Sequence, residues 1–258
     1  MTRRVLLVGI GAGDPDHLTL GAVRALERTD VVFLVDKGSV ADELRAHRRV
    51  LLDDVLGGKP QPRVAERTLG AVRDRDRSAY GAGVAAWREE RERAYLELIE
   101  GLGPDETGAF LLWGDPTLYD GTLAILDELR PRIDGGFEVE VVPGISSVSA
   151  LAARHRVALN RIGEAVQFTT GRRLVDDGLP DDADNVVVLL DAHEAWRTLD
   201  DDLHIWWGAF VGMAHEVLVA GRLGDVRDQI AAVRTAAKDE RGWMFDTYLL
   251  RRAPDPSP

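Results

Sequence analysis

The chain has 258 residues, of which 45% are hydrophobic and 29% charged, a composition typical of a globular protein with one large or two modest domains. Its 44 acidic and 32 basic side chains leave a formal net charge of -12, which disfavours nucleic acid and anionic membranes as partners. The absence of cysteine excludes disulfides, thiolate metal sites and a cysteine nucleophile. No apolar run approaches the roughly 20 residues that span a bilayer. We therefore predict a cytoplasmic protein without a metal site, a membrane partner or a nucleic-acid partner.

Strand and helix patterns alternate along the first part of the chain. Four continuous apolar runs, each ended by a turn, predict buried strands at "RVLLVGI", "VVFLVDKG", "AFLLWGD" and "FEVEVVPG". Amphipathic spacing predicts helices at "LTLGAVRALERTD", over residues 87–100, at "TLAILDELRPRI" and at "SSVSALAARH", where Ser146 or Ser147 would cap the helix. The first apolar run, in "MTRRVLLVGIGAG", imitates a signal peptide, but the pattern that follows it favours a buried strand.

Strand patterns dominate after residue 156. They occur at "AVQFTTG", "NVVVLLDA", "IWWGAFVG", "HEVLVAGRLG" and "WMFDTYLLRR", and one amphipathic helix, "DVRDQIAAVRTAAKDERG", ends at Gly242. This change of rhythm indicates a domain boundary near residues 157–163. We predict an α/β protein with an N-terminal domain over 1–157, a C-terminal α/β domain over 158–252 and a disordered tail over 253–258.

Gly-Asp-Pro turns follow two of the predicted strands, at residues 13–15 and 114–116. The first turn is similar to the G-x-G-x-x-G turn of dinucleotide-binding proteins, since Gly9 and Gly11 fit, but Asp14 replaces the third glycine. An aspartate at this point would repel a pyrophosphate, which disfavours a nicotinamide dinucleotide as the ligand.

Three turns that contain proline lie at predicted strand ends, at residues 14–15, 115–116 and 143–144. We expect them to converge, because α/β sheets bind ligands at the carboxyl ends of their strands, where glycine allows close approach of the backbone. They predict a site for a ligand that is uncharged or cationic near the turns. The alternative interpretation is that they are only tight turns whose aspartates cap helices.

The stretches "VGIGAGDPDHLTL", "WGDPTLYDGT" and "VVPGISSVSALAARH" resemble the tetrapyrrole (corrin and porphyrin) methylases, which use S-adenosyl-L-methionine. The resemblance extends from Val5 to Arg252. It implies two α/β domains, each a sheet flanked by helices, with the cofactor in the cleft between them, and a homodimer. Stretches such as "TTGRRL", "AGRLGDV" and "GWMFDTYLLRR" are most similar to a member that methylates precorrin-5 at C1 and releases acetate in aerobic cobalamin synthesis.

The resemblance also implies roles for individual residues. The positions that would contact S-adenosyl-L-methionine, and its product S-adenosyl-L-homocysteine, are Gly11, Ala12, Asp115, Pro116, Leu118, Tyr119, Ser146, Ser147, Leu190, Asp191, Ala220 and Gly221. Release of acetate needs water and a general base, for which Asp14 is the candidate catalytic residue. Three alternatives stay open: another methylase of the corrin pathway, a NAD-binding Rossmann oxidoreductase, and a cofactor-free binding protein on the same fold.

A tetrapyrrole carries many carboxylates, so an acidic chain that binds one needs arginines at the substrate site. The candidates are Arg154, Arg156, Arg172 and Arg173; the competing interpretation is that they are ordinary surface arginines. The homodimer has a second motive in the segment 36–103, where Trp87, Tyr95 and Leu98 share a predicted helix face. That face could equally pack on its own domain.

Overall fold

A computed structural model describes residues 2–37, 41–69, 80–180 and 183–252, so the predicted tail over 253–258 lies outside the described residues. The chain divides into two compact units. The first comprises Met1–Gly11 and Pro15–Ile145, and the second comprises Ala12–Asp14 and the residues from Ser146 onward. The predicted α/β class, with two domains that each hold a sheet and flanking helices, is confirmed.

The first unit contains a five-stranded parallel sheet with the strand order β3-β2-β4-β1-β5. Its strands are β1 (Arg3–Gly9), β2 (Val31–Lys37), β3 (Arg63–Leu69), β4 (Thr107–Leu112) and β5 (Phe137–Val142). The apolar run near the N-terminus is therefore β1, which lies between β4 and β5 and is buried from Val5 to Val8. Because parallel strands need helical crossovers, both faces of this sheet are covered.

The helices of the first unit are α1 (Leu20–Glu27), α2 (Ala41–Leu56), α3 (Tyr80–Glu100) and α4 (Thr122–Leu129). Alternate side chains of β1 enter two separate cores: Val5 and Leu7 pack with residues of α3 and α4, while Leu6 and Val8 pack with residues of α1 and α2. This alternation follows from the two-residue period of a strand. None of the described helices is long and apolar enough to cross a membrane.

The sequence patterns missed α2 and β3. Strand β3 is at the edge of the sheet and Val64 is 45% exposed, so its sequence "RVAERTL" has no continuous apolar run. The face of α3 that suggested a dimer packs inward, because Tyr95 and Leu98 are buried in the core of their own unit. These two residues therefore no longer support an association between chains.

The second unit contains a mixed sheet with the strand order β6-β7-β10-β8-β9, in which β6 and β7 are parallel and the other pairs antiparallel. Its strands are β6 (Gln167–Thr170), β7 (Asn185–Leu189), β8 (His204–Ala209), β9 (Val217–Arg222) and β10 (Asp246–Arg251). Its helices are α5 (Ser147–His155), α6 (Gly171–Asp177), which the sequence patterns missed, and α7 (Leu223–Arg241). Helix α5 contacts β8 and β10 and therefore belongs to the second unit. The boundary between the units thus lies before α5, whereas the change of sequence pattern predicted it after this helix.

A network of buried polar groups lies inside the second unit. Arg234 of α7 forms an ion pair with Asp246 and donates a hydrogen bond to the main-chain oxygen of Asp191 at 3.0 Å. The indole nitrogen of Trp207 donates to Asp246 at 3.0 Å, and the hydroxyl of Tyr248 donates to the Asp191 carboxylate at 2.8 Å. Burial raises the pKa of Asp246 to about 6, with a further increase from the negative charge of Asp191, while the Arg234 guanidinium opposes both.

This raised pKa predicts how stability depends on pH. Because the folded-state pKa is above the ordinary 3.8, the stabilisation from Asp246 is complete below that value and is lost as the pH rises through about 6. We expect the difference in free energy of unfolding between wild type and Asp246→Asn to fall by about 2–3 kcal/mol between about pH 4 and pH 7. Urea denaturation across this range measures it. Asp239→Asn, at an exposed position of α7, is the matched control, and a constant difference for Asp246→Asn would contradict the prediction.

Candidate functional site

The turns after β1, β4 and β5 meet at the carboxyl edge of the first sheet. A side chain on Gly9 would place its Cβ 2.6 Å from the main-chain nitrogen of Gly144, and a Cβ on Gly144 would lie 2.1 Å from the main-chain oxygen of Gly114. The amide of Gly114 donates to the oxygen of Gly11 at 2.7 Å, which joins the first two turns. The predicted convergence is therefore observed, and it requires glycine at these positions.

Asp115 connects two of these turns through its carboxylate. Oδ1 accepts hydrogen bonds from the hydroxyl and the amide of Thr117, and Oδ2 accepts one from the amide of Gly144 at 3.0 Å. Burial raises the pKa of the Asp115 carboxyl, but these three hydrogen bonds outweigh it and lower the pKa below its usual value. Asp115 does not cap α4, whose N-cap is Gly121, so the helix-capping interpretation does not hold for this aspartate.

The geometry of the first turn does not favour the Rossmann alternative. A pyrophosphate site needs the glycine turn to lead directly into the N-terminus of a helix. Here a short 3-10 turn, Pro15–His17, comes between, and α1 begins only at Leu20, capped by the side chain of Thr19. In addition, β4 lies between β1 and β2, whereas a Rossmann sheet places the first two strands side by side.

His17 lies beside the first turn, and the sequence analysis did not identify it as a candidate site residue. A Cβ on Gly11 would lie 2.5 Å from the Cβ of His17, so this glycine gives the histidine its space. Gly11 also has a φ of 81°, which a side chain would disfavour. Nδ1 of His17 is buried and has no hydrogen-bond partner among the residues that the structure describes. A buried polar atom of this kind needs a partner, and a bound ligand can supply it.

Two exposed apolar residues occupy an unfavourable backbone conformation. Tyr119, in the turn that follows β4, has a φ of 53° and is 44% exposed. Leu190, directly after β7, has a φ of 54° and is 63% exposed. A left-handed conformation is rare for bulky residues and is concentrated at functional sites. Both residues were expected to contact the cofactor.

The other expected cofactor positions differ in what they can offer a ligand. Ser146 uses its hydroxyl to cap α5, accepting the amide of Ser149 at 3.2 Å, and Ser147 is the first residue of that helix. Pro116 is buried and packs beside Gly9, while Ala12 and Leu118 are half-buried. Contacts from these positions depend on the backbone and on short side chains.

Within the second sheet, the expected positions separate into two groups. Asp191 follows β7, and its carboxylate is buried and accepts hydrogen bonds from Tyr248 and from the amides of His193 and Ala195. Ala220 and Gly221 lie on the edge strand β9, level with the amino-terminal half of β8. They are therefore three strands away from β7 and towards the other end of the sheet.

The candidate arginines differ in whether they form ion pairs with acidic side chains. Arg154 forms an ion pair with Glu216 at 2.6 Å, and hydrogen bonding to Glu216 together with the charges of Glu216 and Asp14 raises the pKa of Arg154. Arg173 pairs with Asp177 at 3.1 Å one turn along α6. Arg172 is exposed at the start of the same helix. Arg156 is exposed and ends α5 with a φ of 55°.

Comparison with known proteins places these features in a family. Precorrin-6A synthase [deacetylating] of Sinorhizobium sp is 38% identical over 255 residues, which cover 98% of this chain and 97% of that protein. The crystal structure of a cobalamin synthesis related protein (CobF) from Corynebacterium diphtheriae has a TM-score of 0.82 and 34% identity, and covers 98% of this chain and 100% of its own.

A second solved structure is similar in fold. Uroporphyrin-III C-methyl transferase from Thermus thermophilus, complexed with S-adenyl homocysteine, has a TM-score of 0.56 and 24% identity, with 96% of this chain and 97% of that chain covered. Residues 4–227 match the family model of the Tetrapyrrole (Corrin/Porphyrin) Methylases. A match of this extent, together with the full-length relative, means that the chain belongs to the tetrapyrrole (corrin/porphyrin) methylases.

Proposed function

We propose that this chain is an S-adenosyl-L-methionine-dependent C-methyltransferase that methylates precorrin-5 at C1, with release of acetate, to give precorrin-6A in aerobic cobalamin biosynthesis. The observation that carries the proposal is the similarity over 98% of the chain to the Sinorhizobium protein named for this product. A methylase of different regiochemistry has less support, since the Sinorhizobium Precorrin-2 C(20)-methyltransferase is 30% identical over only 67% of the chain.

The residues at the turns fit the proposed cofactor. Within the first unit, the exposed ring of Tyr119 suits a flat adenosyl group, and the backbone at Gly11 allows close approach. Within the second unit, described by itself, the exposed side chain of Leu190 offers an apolar contact. Nδ1 of His17, which has no hydrogen-bond partner among the described residues, is available for a hydroxyl or an amino group. The Arabidopsis thaliana relative, 29% identical over 65% of this chain, is named as an S-adenosyl-L-methionine-dependent methyltransferase, which also supports this cofactor. When bound, the cofactor supplies an electrophilic methyl group on a sulfonium.

In the proposed reaction the protein chiefly positions the reactants. The bound cofactor would supply its methyl group to a carbon of the macrocycle and would keep the electron pair of the methyl–sulfur bond on sulfur. Alignment of these atoms by the protein is expected to provide most of the acceleration of the methyl transfer. Release of acetate consumes one water, which supplies an oxygen of acetate, while the electron pair of the broken carbon–carbon bond stays on the macrocycle. We propose Asp14, which interacts electrostatically with Arg154, as the base that deprotonates this water.

Two measurements test this function. Calorimetry is expected to detect binding of S-adenosyl-L-homocysteine and none of NADH. Incubation with labelled S-adenosyl-L-methionine and a panel of precorrins is expected to give a precorrin-5 product that gains one methyl group and loses one acetyl group. Binding of NADH without the homocysteine product would contradict the cofactor. Preferred labelling of another precorrin would instead contradict only the substrate.

Among the four candidate arginines, Arg156 is the best suited to bind a substrate carboxylate. Arg154 and Arg173 are already paired with acidic side chains and Arg172 also interacts with another group, whereas Arg156 has no ion pair with any residue that the structure describes. Its left-handed position at the end of α5 is one where glycine is preferred. An exposed arginine at a strained position favours a functional reason for that residue.

Arg156→Gly separates binding from stability. The substitution removes the guanidinium and relieves the backbone strain, so the free energy of unfolding should stay equal or rise. We expect the KM for the tetrapyrrole to increase about 10-fold to 100-fold, the scale of one charge-assisted hydrogen bond, while the affinity for S-adenosyl-L-homocysteine is unchanged. Arg173→Ala, which removes an exposed and internally paired arginine, serves as the control. Equal KM values for Arg156→Gly and wild type would exclude this role.

We also propose that the enzyme acts as a homodimer in the cytoplasm. The family resemblance supports the dimer, while Tyr95 and Leu98, on the face of α3 that first suggested a dimer, are buried in their own unit. Light scattering at micromolar concentrations is expected to give twice the chain mass of 28.3 kDa. A constant mass equal to one chain would rule out the dimer.

A further inference from the structure

Leu190 is held in a conformation that a leucine does not favour by itself. It follows β7, whose five residues are all buried, and its φ of 54° lies in the left-handed region. This conformation is unfavourable for an L-residue with a bulky side chain. The side chain is nevertheless 63% exposed, so burial of its apolar surface does not compensate for the strain.

Hydrogen bonds to the next residue, Asp191, hold the backbone turn that contains Leu190. The carboxylate of Asp191 accepts the amide of His193 at 3.1 Å, the amide of Ala195 at 2.9 Å and the hydroxyl of Tyr248 at 2.8 Å. The carboxylate fits only because position 171 is glycine, where a Cβ would lie 2.1 Å from its Oδ1. The turn is thus held by two main-chain amides that follow it in the sequence and by a tyrosine of β10.

Arg234 fixes the same turn from α7. Its Nη2 donates to the main-chain oxygen of Asp191 at 3.0 Å, and its side chain is only 3% exposed. On its other side it forms the ion pair with Asp246, and its Nε lies 3.3 Å from a carboxylate oxygen of Glu194. The guanidinium therefore connects α7 with β10 and with the backbone of the residue that follows Leu190.

Buried charges of this kind are a poor source of stability. Removing an arginine and a carboxylate from water costs several kcal/mol per ion, and well-packed apolar residues often give an equal or higher stability. A planar guanidinium holds several hydrogen-bond acceptors in a fixed geometry at once, which an apolar side chain cannot do. The network is thus better suited to fix the Leu190 turn than to stabilise the unit.

We infer that Arg234 is a positioning residue for the cofactor, which rests on the proposed function: it holds the Leu190–Asp191 backbone so that the leucine side chain stays exposed for the adenosyl group. The ligand contact belongs to Leu190, and Arg234 acts only through the backbone that it anchors. The geometry predicts that the contribution of Arg234 to cofactor affinity depends on Leu190.

The same helix provides a matched control. Arg227 donates from Nη2 to the main-chain oxygen of Leu199 at 2.6 Å, and its Nη1 lies 2.6 Å from Asp201. It therefore holds a loop by one carbonyl and one carboxylate, whereas Arg234 holds its turn by one carbonyl and has two carboxylates nearby. This loop precedes the first residue of β8, at the end of the sheet opposite to Leu190.

A double-mutant cycle tests the inference by calorimetry with S-adenosyl-L-homocysteine on the full-length enzyme. Lysine keeps the charge opposite Asp246 but cannot bond the carboxylate and the Asp191 oxygen as a planar fork, so Arg234→Lys should weaken binding about tenfold. Leu190→Gly should weaken binding while keeping or raising the melting temperature, because glycine tolerates the left-handed backbone. In the Leu190→Gly background, Arg234→Lys should have little further effect. Arg227→Lys should leave the affinity unchanged.

Tyr248→Phe provides a second, conservative variant if Arg234→Lys does not fold, since it removes one hydrogen bond to Asp191 and should weaken binding in the same direction. The KM for the tetrapyrrole should not change in any of these variants. Equal effects of Arg234→Lys, or of Tyr248→Phe, in the wild-type and Leu190→Gly backgrounds would overturn the inference and leave the function intact. If the wild type itself does not bind S-adenosyl-L-homocysteine, the proposed function fails, and the inference fails with it.

Discussion

The geometry of the first unit depends on a backbone contact that leaves no space for side chains. Gly9, Gly114 and Gly144 approach so closely at the carboxyl edge of the parallel sheet that a Cβ on Gly9 or Gly144 would overlap main-chain atoms of another turn. Asp115 then ties two of these turns by accepting hydrogen bonds within its own turn and from Gly144. Because the turns are fixed by each other, the residues that follow them, including Tyr119, have defined positions at the sheet edge.

In the second unit, the turn that follows β7 is held by a different kind of interaction. Its sheet is mixed, and Leu190 is held by a buried network of charged and polar side chains from α7, β8 and β10. Close backbone packing needs only glycine, whereas buried charges need every partner in place. The two carboxyls are therefore shifted in opposite directions: hydrogen bonds lower the pKa of Asp115, and burial raises that of Asp246.

The acidic composition of the chain is compatible with a substrate that carries carboxylates. Net charge governs long-range attraction, but local recognition depends on cations that are not already paired. Arg154 and Arg173 are balanced by neighbouring acids, whereas Arg156 has no ion pair with any residue that the structure describes and can offer its positive charge to a substrate. Its strained backbone position distinguishes it from an ordinary surface arginine.

The sequence alone determined the elements that carry strong apolar patterns and the turns that need particular residues. Continuous apolar runs predict buried strands such as β1 and β7, and the lack of a side chain makes glycine suitable for the tight turns. Both are local properties of the sequence. The family resemblance added the expected cofactor positions, including Tyr119 and Leu190, which stay a prediction.

Only the tertiary structure decided the rest. Strand β3 is an exposed edge strand, so its pattern contained no signal, and the role of Asp115 depends on Gly144, which is 29 residues distant in sequence. The separation of Ala220 and Gly221 from Leu190 depends on strand order. The burial of Nδ1 of His17, without a hydrogen-bond partner in the described part of the chain, also depends on packing. Arg234 reads in the sequence as one more arginine of an amphipathic helix, because its burial and its contact with the Leu190 turn are set by long-range packing.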